Sequence, residues 1–414
     1  MTKIRWRPGV VALVVATGVA LVPGTPAAAA TVRLTPNGDV ASAWQVNPSG
    51  AAYAAVDDPI SRPDPVPATD GIWAGATGRV AQLGMSTTTL GNNYVRSGQV
   101  WFYANTGATT QLLVEVLWRG AVRKSLTMPV AQGFAWRSVA VMPSRQADVD
   151  DLRVRFTAVA GGDTNVRAMY AELDTAPLLQ QQDWETSQAV PPAGWNRQAC
   201  CAWSTVVQPS PVRSGANAIR FDLRYGDQAS PTLKSRTELT TSTPDADHVE
   251  RWYGFSIYLP SAYWATDASA EILTQWHQHG DQGSPPLSVG ARNAHWEVAF
   301  QGLPLSSPTL AAAEYARDTW TDWIVHVNWS SGTDGFFEAW RNGTLVQFVD
   351  PITHATTTRI NGANKPNDGF GVYTKFGIYK WAWNDGPSQV SERAIQYDDL
   401  RIADGSASYS AVAP

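Results

Sequence analysis

Residues Tyr373–Trp381 read YTKFGIYKW. At the two-residue period of a strand, Tyr373, Lys375, Gly377, Tyr379 and Trp381 fall on one side, and Phe376 and Ile378 on the other. The second side is apolar enough for a core. The first carries Lys and Tyr around a glycine, so something polar must lie against it. Two more segments are built the same way. In Lys234–Leu239 (KSRTEL), Lys234, Arg236 and Glu238 share a face. In Ile272–His277 (ILTQWH), Gln275 and His277 share one, with Ile272, Thr274 and Trp276 opposite.

The surrounding sequence repeats the strand pattern. Trp252–Pro260 (WYGFSIYLP) puts Tyr253, Phe255, Ile257 and Leu259 on one face, and Trp323–Trp329 (WIVHVNW) alternates similarly. Phe336–Phe348 holds Asn342-Gly343 between two apolar runs, a strong hairpin signal. A last strand spans Ala394–Ile402. No sustained helical period interrupts these runs, so residues 183–414 predict an all-β jelly roll, a concanavalin-like sandwich with one concave face. In the first half, Gln99–Tyr103, Gln111–Trp118, Leu152–Ala158 and Val166–Leu173 read as strands, the last with Val166, Ala168 and Tyr170 on one side. They predict a separate N-terminal β-sandwich over 31–174. Thr175–Gln182 (TAPLLQQQ) lacks a pattern and reads as the linker.

Residues 1–30 stand apart. Lys3, Arg5 and Arg7 precede an apolar run from Val10 to Val22, and Ala27–Ala30 close it. This is the layout of a signal peptide cleaved near Ala30, which predicts a secreted, extracellular protein. Export makes a disulfide chemically feasible, and the two cysteines, Cys200 and Cys201, are adjacent. A bond between them would tie no distant strands together, and free thiols are equally consistent with the sequence.

A formal net charge of -5 excludes a global basic field for nucleic acid or anionic lipid. An anionic partner must instead meet a local cluster of Arg and Lys. Nineteen Trp suit both a β core and flat platforms for sugar rings. All six His lie in the second half, which makes that half the candidate enzyme and the first half an accessory, carbohydrate-binding module.

Arg, Gln, His, Lys and Tyr, with no dominant carboxylate pair, suit elimination across C4–C5 of a uronate. Arg and a side-chain amide can hold the carboxylate and stabilise the enolate charge that develops beside it. A His or a Tyr phenolate can take the C5 proton, and a Tyr hydroxyl can donate to the leaving O4.

The three segments resemble the strand motifs of jelly-roll polysaccharide lyases: R-(S/T)-E-L, Q-x-H and Y-x-K-x-G-x-Y. Alginate lyases of this fold share that grammar, while GFSIYLP, QWH and KFGIYKW are more similar to the group holding glucuronan lyases and heparin lyase I. The resemblance covers roughly residues 183–405, with the motifs in the expected order. It implies Arg236 and Gln275 on the uronate carboxylate, His277 as base, Tyr379 as acid and Lys375 in support of substrate or tyrosine. Thr240 stands where an Arg often follows in alginate lyases, a departure that points away from alginate. In glucuronate the C5 proton and O4 lie on one side, so Tyr379 alone can serve as base and then acid. In iduronate or guluronate they lie on opposite faces, and His277 would be the base.

Lys234, Glu238, His279, Tyr373 and Trp381 are the candidate substrate-binding residues. No cofactor is required by this chemistry and no zinc pattern occurs. Asp398 and Asp399 in YDDLRI are the candidates for a structural calcium. The expected partner is an anionic polysaccharide, and the expected state a monomer. A glycoside hydrolase would need two carboxylates facing the bond, yet Glu297 and Glu338 each stand alone. A non-catalytic lectin would fit the aromatic content, and convergence of the five site residues on one groove is what separates the two readings.

Overall fold

The computed structural model describes residues 30–58, 62, 70–161, 163–185, 188–242, 244–279, 283–300, 313–350, 353–366, 370–386 and 388–414. Apart from Ala30, the predicted leader lies outside the described residues.

The C-terminal half packs two antiparallel sheets face to face. One runs, in spatial order, through Trp195–Gln198, Arg236–Thr241, Val372–Tyr379, Glu271–Gln278, Leu287–Arg292, His295–Phe300 and Ala313–Glu314. The other is centred on Ala218–Arg224, Glu392–Asp404, Val249–Tyr258, Trp320–Trp329 and Phe336–Arg341. Between them, Leu239, Leu273, Trp276, Phe376 and Ile378 meet Tyr253, Phe255, Ile257, Val325 and Tyr397 in one continuous core. The two-residue turn at Asn342-Gly343 has φ 49 and 79, the left-handed pair that closes a hairpin without splaying its strands.

The N-terminal half is a second sandwich with its own core, made of a six-stranded and a five-stranded sheet. Its long strand Thr164–Pro177 corrects one expectation. A bulge between Val166 and Ala168 interrupts the alternation, so Val166 and Met169 enter the core while Ala168 and Tyr170 turn outwards, opposite Tyr103 and Trp101.

The expected linker is also redrawn. Thr175–Pro177 completes the N-terminal strand, and Gln180–Gln182 already pairs with Leu400–Ile402 in the C-terminal domain. Leu178 packs with Tyr94, Trp252, Ile324, Ala411 and Val412 in a cluster between the two sandwiches. The short helix Tyr409–Val412 completes this contact. It lies so close to Gly254 that a Cβ there would come 1.8 Å from the Val412 carbonyl oxygen. Glycine is what lets the strand and the chain's last turn meet.

Candidate active site

Three adjacent strands carry the site, and their register explains the convergence. Arg236 pairs across from Tyr379, Glu238 from Gly377, Gln275 from Lys375, and His277 from Tyr373. Residues 96 to 143 positions apart in sequence thereby share one face. Phe376 and Ile378 point into the core beneath, as their alternation predicts. Gly377 adopts φ +142, and a Cβ there would sit 2.1 Å from the Thr237 carbonyl oxygen, so only glycine fits.

A pocket of about 390 Å³ opens on this face. Arg236, Gln275, His277 and Tyr379 line it, joined by Lys234 and Trp381 and by the Gly283–Pro285 turn. No carboxylate is among its described lining residues. Ile272 also lines it, although simple alternation put Ile272 with the core; a bulge between Ile272 and Thr274 turns it to the groove. The strand ends at Tyr379, so Trp381 reaches the pocket from the 3-10 turn Trp381–Asn384 rather than by strand alternation. Likewise Lys234 precedes the strand that begins at Arg236.

Each side chain is held from behind. The Arg236 guanidinium lies 4.2 Å over the Tyr379 ring, donates to the Lys234 carbonyl at 3.1 Å, and meets Glu238 and Gln198 at 3.4 Å. Glu238 is fully buried and does not line the pocket. Its other oxygen accepts from Gln275 Nε2 at 2.5 Å. A carboxylate only accepts, so the amide must turn its NH2 towards Glu238. Gln275 Oε1 is then left buried without a hydrogen-bond partner among the described residues. Glu238, expected to touch substrate, is placed instead as the brace shared by Arg236 and Gln275.

His277 Nδ1 lies 2.9 Å from the Gln278 carbonyl oxygen. Only an N–H makes that contact, so the neutral ring carries its basic lone pair on Nε2. Lys375 is buried behind the pocket wall, with Nζ 3.5 Å from Gln198 Oε1 and 5.3 Å from the Tyr373 ring. Tyr373 packs against both His277 and His279. His279 is exposed just past the strand end, with its backbone N–H on the Gly371 carbonyl.

Gln198 is the residue that the sequence patterns missed. It sits on the neighbouring strand Trp195–Gln198, opposite Glu238, and its oxygen receives both Arg236 and Lys375. No motif marks it. Cys200 and Cys201, two residues further on, form a disulfide with each other. Asp398 and Asp399 lie on the opposite sheet. Asp398 accepts the backbone N–H groups of Arg213, Ser214 and Asp399, while Asp399 takes the Ser214 hydroxyl and the Arg401 guanidinium.

The model of the family described as polysaccharide lyase matches residues 178–401, more than half of the chain. The fold and site therefore define an enzyme class: the protein belongs to the polysaccharide lyase family and is a polysaccharide lyase. Among solved structures it is similar to an endo-β-1,4-glucuronan lyase from Trichoderma reesei, at 17% identity over 57% of this chain and 98% of that one, with TM-score 0.44. An alginate lyase from Pseudomonas aeruginosa matches at 16% identity over 51% and 98%, with TM-score 0.34. The catalytic domain of a glycoside hydrolase family 131 protein from Coprinopsis cinerea matches at 11% over 55% and 94%, with TM-score 0.38. Likenesses this distant do not decide the substrate. No curated protein matches the chain.

Proposed function

We propose that the protein is an exported lyase that cleaves a glucuronan-like polyuronate by β-elimination, leaving an unsaturated uronate at the new chain end. The observation that carries this reading is the pocket lined by Arg236, Gln275, His277 and Tyr379 with no carboxylate among its described residues. Hydrolysis of a glycosidic bond needs two facing carboxylates, whereas elimination needs a cationic and amide clamp for the uronate carboxylate beside a base.

In this reading Arg236 and the second N–H of Gln275 hold the carboxylate. They stabilise the negative charge that moves onto it as the C5 proton leaves. For glucuronate, Tyr379 as the phenolate takes that proton and, as the phenol so formed, returns it to O4 as the C4–O4 bond breaks. His277, with Nε2 as acceptor, provides the base for a sugar of the opposite C5 configuration. The partnerless Gln275 Oε1 suits a substrate hydroxyl, since an unmade buried hydrogen bond costs about 1–3 kcal/mol. Arg236 and Lys375 supply the positive charge, so the route requires no cofactor. The basic start, apolar run and small-residue close of residues 1–30 support export, and the N-terminal sandwich is proposed as a carbohydrate-binding accessory module.

The test is ultraviolet absorbance of newly formed unsaturated uronate, with purified protein on glucuronan, alginate and heparin. The expected result is a rising signal on glucuronan that falls about 10²- to 10⁴-fold in Tyr379→Phe. Unchanged turnover in that variant would remove Tyr379 from the chemistry. Silence on all three polymers together with tight binding would favour a lectin.

A further inference from the structure

The strand Trp195–Gln198 is the edge of the sheet that bears the groove, and Thr205–Gln208 is the edge of the opposing sheet. The short connection between them carries both cysteines of the chain, joined to each other. Its two ends are fixed on opposite faces of one neighbouring strand. At the first end, Gln198 stands opposite Glu238, and its oxygen receives Arg236 and Lys375 on the groove side. At the second, the Ser204 carbonyl accepts the Thr237 hydroxyl at 3.1 Å, and the Thr205 hydroxyl lies 3.2 Å from that of Thr237. Thr237 falls between Arg236 and Glu238 in the strand, so its side chain takes the other face. Between these anchors the Arg197 guanidinium donates to the Cys201 carbonyl, which also accepts the Ser204 N–H at 3.1 Å. Cys200 Sγ lies 3.4 Å from the Ser204 hydroxyl oxygen.

A four-residue edge strand, paired on one side only, is a weak support for a residue that receives two cations. Gln198 is its last residue. A bond between neighbouring cysteines ties no distant strands together. It closes a small ring around one peptide unit, and so limits the torsions of the turn itself. That limit reaches the Gln198 backbone through one residue, Ala199. Both cysteines are partly exposed, so a dissolved thiol can reach the bond.

We propose that Gln198 is a positioning residue for the elimination, and that the Cys200–Cys201 bond is the redox-sensitive clip that holds it. With the bond intact, the turn fixes the acceptor shared by Arg236 and Lys375. On reduction by a dithiol the S–S bond breaks, each sulfur gains one electron and one proton, and the dithiol closes to its own disulfide. The turn gains freedom, the Gln198 oxygen leaves its place between the two cations, and turnover falls. The inference rests on the elimination chemistry proposed for this groove.

The chain has two cysteines in all, so a dithiol acts on this bond alone. Turnover of glucuronan by the full-length protein is measured oxidised and reduced, with thiol titration to verify the redox state and thermal unfolding to verify the fold. The same measurements are made on Gln198→Leu, which has no acceptor, and on Cys200→Ser with Cys201→Ser. Gln198→Asn, with its shorter reach, serves the same comparison if Gln198→Leu does not fold. The expected result is a kcat about tenfold lower on reduction and in Gln198→Leu, with KM changed less. Because both act through one amide, the losses do not add, and reduced Gln198→Leu is no slower than its oxidised form. The double serine variant matches the reduced wild type and ignores the dithiol. Undiminished kcat in the reduced wild type, or a reduction loss that persists in full in Gln198→Leu, would overturn the proposal. Affinity of His277→Ala for a short oligouronate, measured by calorimetry in both redox states, separates the clip from the lyase reading. No turnover on any polyuronate, with binding that weakens on reduction only while Gln198 is present, removes the lyase reading alone. Normal turnover with additive losses removes the clip alone.

Discussion

The two sandwiches of this chain hold similar residues in different ways. On the C-terminal sheet, Arg236 and Gln275 are anchored from behind by the buried carboxylate of Glu238, and Arg236 and Lys375 by the amide of Gln198. On the N-terminal sheet, Arg33, Arg62 and Arg167 lie over aromatic rings, and Arg62 also binds Tyr170 and Glu172. A buried hydrogen-bond network fixes position to a fraction of an ångström, which chemistry on a C–H bond requires. Cation–π stacking holds a guanidinium over a ring face with less directional control. The difference is one of precision, and the C-terminal face has the support that chemistry on a C–H bond requires.

If rigid support defines the reactive face, its scaffold should be its weakest point. Gly377→Ala would place a methyl group 2.1 Å from the Thr237 carbonyl oxygen at a left-handed φ. The expected cost is about 3 kcal/mol or more, with loss of turnover, read by thermal unfolding and ultraviolet assay. A folded and fully active variant would show that the strand pairing is not what sets the groove. Glu238→Gln is the subtler break. It keeps the shape but loses the charge and one of the two acceptor oxygens that Arg236 and Gln275 use, and turnover should fall about ten- to a hundredfold with the melting temperature changed by only a few degrees. A KM effect alone, with kcat intact, would make the brace a binding element only.

The smallest effect contrasts Glu238 with a buried acid that has no cation of its own. Burial, and then the neighbouring Asp399, push Asp398 up to about 7, against the backbone N–H groups that favour its charge. A carboxyl in an unfolded chain titrates near 3.9, so the folded state holds the extra proton between those values. Stability from this group is therefore full below about pH 4 and is lost as pH rises through 7. Asp398→Asn should flatten the decline in stability between pH 4 and 7 by about 1–3 kcal/mol. An unchanged slope in denaturant titrations would assign the decline to other groups.

The sheet that carries the site was legible because its strands alternate. Phe376 and Ile378 on one side and Lys375, Gly377 and Tyr379 on the other are enough to predict a strand with a working face. Arg236, Gln275, His277 and Tyr379 followed from the same periodicity and the motif resemblance, and the register brings them to one pocket. What escaped was whatever breaks or lacks a period. Bulges moved Val166 into the core and Ile272 to the groove. Gln198 belongs to a four-residue strand too short to show a pattern, and its partners lie 38 and 177 positions away. Glu238 shared a face with Arg236, but period alone could not tell a residue that touches substrate from one buried beneath the residue that does.

The seating of Val412 against Gly254 has a consequence for how the molecule comes apart. The last helical turn, Tyr94 and Leu178 from one sandwich, and Trp252 and Ile324 from the other bury one another, and hydrogen bonds from Tyr94 to Ser406 and from Ser144 to Ser410 close the seam. Neither domain can open this edge without exposing apolar surface on its neighbour. Loss of order in either half along this edge therefore exposes apolar surface on the other, which couples their stabilities.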